Sequence, residues 1–499
     1  MRTFTITIFC FLLLTSTSVF AQKNGLNVTT ETKIMGKNYM DNSDIKGVEY
    51  VFPNRIDACF FNSENGFLTV LFAGIGNLFY SKAGGDIIQY DLMNEKILWT
   101  ATTYFASNFK QDFQTVHLQI AKDGIIRYHG EKCYFLDAFS GNKIWEVKNI
   151  IFLVDYDNNI GIGYKSDFWS QYSDDFEGIN LKDGSKIWER KLVGGAQWYE
   201  NFYINDSTLI VVSESGLHSL NVLSGNGWNF RTVTNSKETN NLISNTLVDS
   251  TSIYFASRVQ IVKMDKLLGN IVWNNKLTIE WTSKSSIFMN DSVIYMINRG
   301  FATTPVGYKF FGKAYIAAYD KQTGKQKYLS LIKSKNGYIL NFRIIDNDIY
   351  LLFKNKIVKY DLERGSQIFE KEFPKKIYGS LKYFVGSRVF VSNQEDIFKS
   401  IVQNEPTKLH IYTTLGKIFS LNYQLNLTNT VEQENIGIYF LSYKDYKFIT
   451  SKGKTYIIND EGQIIAELDL SSNAFIVGDY LYDKKDRSFY AVDLKNIIH

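Results

Sequence analysis

One signature recurs along this chain: an Asp or Asn, a Gly four residues later, and an aromatic four residues after that. It reads Asp137…Gly141…Trp145, Asn180…Gly184…Trp188, Asp265…Gly269…Trp273, Asp320…Gly324…Tyr328 and Asp361…Gly365…Phe369. Asp91…Glu95…Trp99 keeps both ends and loses the glycine, while Asn221…Gly225 moves its aromatic one place on, to Trp228. Weaker echoes follow at Gly416 (with Phe419), at Gly462 and at Asp493. An Asp or Asn side chain accepts hydrogen bonds from the amides just after it and so fixes the start of a turn. Glycine supplies positive φ at low steric cost. A large aromatic buries against a neighbouring unit what one sheet alone cannot bury. The copies lie roughly 40 to 55 residues apart, a spacing that suits one small sheet per repeat.

The stretch from Phe342 to Phe373 shows what one repeat contains. Phe342–Asp346, Ile349–Phe353, Lys356–Leu362 and Ser366–Phe373 read as four short strands, with turn residues between each pair. A second punctuation marks the first turn of other units, at Asn205–Ser207, Asp249–Thr251 and Asn290–Ser292. No segment sustains a 3.6-residue apolar period, which excludes helical solenoids. The aromatic load, 32 Tyr and 37 Phe, suits pleated half-buried surfaces, and 4 Pro in 499 residues argue against Pro-rich linkers. The expected fold is therefore all-β: a β-propeller of four-stranded antiparallel blades.

The pattern closely resembles the AxDxxTGxxxW motif of quinoprotein (pyrroloquinoline-quinone, PQQ-like) β-propellers. Ala318-Tyr-Asp320-Lys-Gln-Thr323-Gly324-Lys-Gln-Lys-Tyr328 matches best, with Tyr in place of Trp, and the resemblance is strong over about Asp91 to Phe369. It implies a ring of blades, commonly eight in that family; the signatures here fit about eight to ten. The last unit, Asn473–Leu494, lacks an outermost strand, which a segment within Leu26–Tyr50 is expected to supply, closing the ring. In architecture the chain is similar to the propeller subunit of the outer-membrane β-barrel assembly machinery, which implies protein contacts through one face. The dehydrogenases of the family hold PQQ and Ca²⁺ with acidic and amide side chains, use a catalytic Asp, and often carry adjacent cysteines. This sequence has no adjacent cysteines, and none of its acidic residues can be matched to that site. No cofactor is expected.

The first 21 residues read as a signal peptide: Arg2, an apolar run over Ile6–Leu14, and a cleavage region at Val19-Phe20-Ala21. The run is shorter than the about 20 residues a transmembrane anchor needs, and Cys10 lies inside it rather than at its end. Residues 22–499 are then one propeller domain, exported to the periplasm or the exterior and expected to be monomeric. Cys59 and Cys133 remain, compatible with one disulfide or with two buried thiols. A net charge of +4 without a basic block points away from nucleic acid. The five histidines are dispersed, and neither HExxH nor GxSxG occurs. Gly74-Ile-Gly76 is a lone glycine-rich fragment, and Asp183–Trp188 looks superficially like a sialidase Asp-box but fits the repeat better. Asp174, Asp175 and Glu177 crowd one loop, readable as a solvated acidic stretch or a Ca²⁺ site. No metal ligand is assigned.

Strand direction alternates in a meander, so second-to-third connections share one face of the disc. Four of these read as long: Ala73–Asp86, Ser166–Gly178, Asn298–Lys313 and about Ser392–Lys408. Two are rich in aromatics, Phe168, Trp169, Tyr172 and Phe176 in one, Phe301, Tyr308, Phe310 and Phe311 in the other. Phe168, Trp169, Tyr172, Phe301, Tyr308 and Phe310 are the candidate partner-binding residues, since loops on a rigid scaffold carry function. Ordinary packing over the blade gaps would equally explain them. The favoured reading is a noncatalytic binding or scaffold propeller with a protein, peptide or glycan partner. The alternative is a PQQ- or metal-dependent oxidoreductase with a divergent site.

Overall fold

The computed structural model describes residues 27–498 apart from 64, 73–85, 102–117, 130–131, 166–174, 193–197, 214–215, 232–243, 258–259, 278–284, 304–308, 334–336, 385–408, 416, 433–438, 452–453 and 460–462. The signal segment lies outside these residues. The described chain is an all-β propeller. Eight four-stranded antiparallel sheets follow one another over 56–101, 118–147, 149–191, 198–231, 247–276, 285–331, 341–372 and 381–432. The sixth carries an extra hairpin, Phe301–Thr303 paired with Lys309–Phe311, between its second and third strands.

Within a sheet the second and third strands are almost wholly buried, as at Phe67–Phe72 and Ile87–Asp91, because a neighbouring sheet covers each face. Fourth strands are more exposed than these; in Lys186–Lys191 the one buried residue is Trp188. The apolar clusters accordingly lie between sheets. Leu71, Ile87 and Trp99 of the first meet Ile125 and Leu136 of the second. Ile297 and Ile316 of the sixth meet Leu351 and Val358 of the seventh.

A nine-stranded sheet takes in both ends of the described chain. Strand β1 (Thr29–Asn38) and strand β2 (Asp44–Val51) form a hairpin. Strand β2 pairs with Ser488–Asp493 in the register Val48↔Ala491 to Val51↔Ser488, and so stands fourth in a meander with the strands over 475–493. Strand β1, which the sequence did not announce, pairs with Ile464–Leu468 of the preceding meander over 439–468. The final meander packs on the first sheet: Tyr50, Tyr482 and Phe489 join Leu68, Val70 and Tyr90 in one cluster.

Glu49 ties β2 in electrostatically. It accepts a 2.9 Å bond from Lys33 of β1. Burial opposes its ionisation, but bonds from Ser488, Lys33 and Tyr490 outweigh this and hold its carboxyl down to about 2. A carboxyl depressed in the folded state contributes stability above its ordinary pKa of 4.5 and loses it as pH falls towards 2. Between pH 5 and 2 the wild-type unfolding midpoint should therefore fall more steeply than that of Glu49→Gln. Parallel curves would contradict this role.

One expectation about the loops is corrected. The 385–408 segment joins the first and second strands of the eighth sheet, Leu381–Phe384 and Leu409–Thr413, not its second and third. It therefore leaves from the opposite face to the other three long connections. The misplacement came from taking Gly416 with Phe419 as the repeat turn. Phe419 lies on the third strand, and the third-to-fourth turn is Asn422–Asn426, with Leu425 at φ 62 where six of the other sheets have glycine.

Candidate binding surface

The signature residues build one turn many times over. Asp265 accepts the amides of Leu267 and Leu268 at 2.9 and 2.7 Å, and the Gly269 amide returns to the Asp265 carbonyl at 2.9 Å. Asp91, Asp137, Asn221, Asp320 and Asp361 make the same pair of bonds. The aromatic of one sheet then docks on the turn of the next. Trp99, Trp145 and Trp188 donate their indole N–H to Ala138, Leu181 and Val222 carbonyls at 2.7 Å, in each case the residue after the Asp or Asn. Trp228 and Trp273 donate to Lys266 and Lys321 at 3.2 and 3.3 Å, and the Tyr328 hydroxyl donates to Leu362 at 2.7 Å. Each ring lies over the next turn's glycine: a Cβ on Gly269 would sit 2.4 Å from Trp228.

The series stops at Phe369. Its ring has no N–H or O–H to donate, it stands 47% exposed, and the next turn has Leu425 where glycine would be needed. Lys371, donating to the Leu425 carbonyl at 2.6 Å, and Phe373, 5.0 Å from Phe419, make that junction instead.

Because the acid or amide of each turn holds the next amides inward, the side chain two places on is turned out to solvent. In four of the sheets that residue is apolar: Met93, Phe139, Leu223 and Leu267, exposed by 83, 61, 51 and 62%. Leu268 beside Leu267 is exposed as well, and Phe139 leans edge-on against Phe67 of the first sheet at 5.2 Å. The third, sixth and seventh turns carry Lys182, Gln322 and Glu363 at this place. Sequence reasoning passed over these residues, although an apolar residue two places after a turn Asp or Asn was a readable signal.

The residues singled out from sequence are placed only in part. Phe168, Trp169, Tyr172 and Tyr308 lie outside the described residues. Phe301, Phe310 and Phe311 lie on the inserted hairpin. Phe176 is corrected from loop to strand: it is buried on Asp175–Asn180, 4.5 Å from Tyr164. On the same strand Glu177 is buried, accepts a bond from Asn149 and faces Lys186 at 3.5 Å, while Asp174 is outside the described residues. Among the described residues no three His, Cys, Asp or Glu come together as metal ligands. Cys59 and Cys133 are both free, their thiols pushed up by burial to about 11 and about 12. No helix among the described residues is long and apolar enough to cross a membrane.

Residues 64–275, the stretch in which five successive sheets carry the docking turns, match the family model described as outer membrane protein assembly factor BamB. These residues are similar to the PQQ-like β-propeller family. No curated protein sequence matches the chain. Among solved structures the chain is similar to BamB from Moraxella catarrhalis, at 13% identity over 70% of this chain and 96% of that one, with a TM-score of 0.35. It is similar to a eukaryotic initiation factor at 9% identity, over 82% of this chain and 96% of that one, with a TM-score of 0.40. A europium-containing methanol dehydrogenase matches at 9% identity over 73% and 84%, with a TM-score of 0.33. Likenesses this distant do not bear on what the chain binds.

Proposed function

We propose that the chain is an exported, noncatalytic binding scaffold: a propeller ring, closed by β2, that offers one face to a protein, peptide or glycan partner. The apolar side chains at Met93, Phe139, Leu223 and Leu267, repeated at one turn position and exposed, carry this reading. Apolar side chains held out to solvent at the same turn position of several sheets give a partner apolar area to bury. Export rests on the signal-like first 21 residues. The turns that hold these side chains are each fixed by two side-chain bonds, and those of Phe139, Leu223 and Leu267 by a docked ring as well, so a partner meets a preorganised surface.

The competing oxidoreductase reading makes a different thermal prediction. A ligand held by the native state stabilises it by about 2.7 kcal/mol at a hundredfold excess over Kd. The scaffold reading expects no change in Tm when the mature protein is titrated with PQQ and Ca²⁺ together, or with Ca²⁺ alone. A saturable rise that needs PQQ would overturn it in favour of the enzyme.

A further inference from the structure

The junction between the final meander and the first sheet lacks its docking aromatic. Trp145 pairs across its sheet with Phe135, two residues before Asp137. The equivalent residue in the final meander is Ala491, two before Asp493, and it pairs with Val48 of β2. Val48 therefore stands where other sheets carry Trp. The bulk has moved inward as well: the row Trp145, Phe135, Ile126 of the second sheet becomes Val48, Ala491, Tyr482 here. Space is left on the outer part of the seam.

That space is a cavity of 630 Å³. Thr32, Lys46, Val48, Ala491 and the rings of Tyr50, Tyr480 and Tyr482 line it from one side, and Phe61, Asn65, Leu92 and Met93 from the other. Leu92 follows Asp91, so it holds the place of the residue whose carbonyl receives the ring donor at the next three junctions. Phe61 and Tyr482 lie 5.2 Å apart, and Tyr480 is 45% exposed. Glu95, at φ 50, takes the place of the glycine. Its Cβ keeps a ring from lying as deep as Trp145 does.

We propose that this seam cavity binds the aromatic side chain, Trp or Tyr, of a partner peptide, supplying from outside the ring that the preceding strand supplies at other junctions. The inference goes beyond the scaffold reading, and its test is independent of the PQQ titration. The probe is N-acetyl-tryptophanamide, followed by isothermal titration or ligand-observed NMR, with N-acetyl-leucinamide and N-acetylglucosamine as comparators. Saturable binding of the aromatic probe with Kd of about 1 mM is expected, and at least tenfold weaker binding of both comparators. Val48→Trp, which fills the seat from within, should abolish it. Thr32→Trp, at an exposed edge position that does not threaten folding, should weaken it at least tenfold. The proposal is overturned by no saturable binding, by unchanged binding in Thr32→Trp, or by a sugar that binds more tightly than the aromatic probe.

Discussion

Truncating Trp188 to alanine is expected to lower the unfolding free energy by about 3–5 kcal/mol, the range for large buried aromatics. Trp188 is 7% exposed, covers Gly225 of the next sheet and donates to the Val222 carbonyl. Its loss opens a void between the third and fourth sheets and leaves that carbonyl without its indole donor. The informative comparison is Phe369→Ala, at the same place in the signature. Phe369 is 47% exposed and makes no docking bond, so its truncation should cost about 0.5 kcal/mol or less. Urea unfolding of both variants checks the pair. Equal losses would mean that the aromatic acts through its own sheet and not through docking.

Gly269→Ala is expected to cost about 2–5 kcal/mol. Two effects add. The backbone is at φ +71, where an alanine is strained by about 1–2 kcal/mol. The new Cβ would also lie 2.4 Å from the Trp228 ring, an overpacking that costs typically about 1–3 kcal/mol. Gly337 separates the terms, for it has φ +75 and nothing within 4 Å of its would-be Cβ. Gly337→Ala should show the conformational cost alone. If the two substitutions prove equally costly in denaturant titrations, the seat beneath Trp228 has no steric role.

The fold was legible because its punctuation is chemical. Asp and Gly fix the third-to-fourth turn whatever surrounds them, and the strands read between Phe342 and Phe373 fall within a residue or two of those found. Legibility ended where that chemistry lapses. In the eighth sheet Leu425 replaces glycine, the turn shifted in the reading, and a long connection was assigned to the wrong face. The docking of the β1 hairpin and the Val48 seat depend on pairing between residues more than four hundred positions apart, and neither carries a turn signature. The exposed apolar turn residues escaped for another reason. Aromatics in long loops drew attention first, although Phe176 among them packs in the core. Burial of that kind is decided by which sheet lies opposite, and a single strand does not record its opposite face.

Ring closure by β2 is the claim on which the rest depends, and native-state hydrogen exchange tests it most directly. If β2 is the fourth strand of the final meander, its amides exchange only when the seam opens. The peptide spanning Asp44–Val51 should then stay protected as long as the one spanning Ser488–Asp493. Rapid exchange of Asp44–Val51 beside a protected Ser488–Asp493 would show an N-terminal strand that does not hold its place, and the seam cavity would go with it.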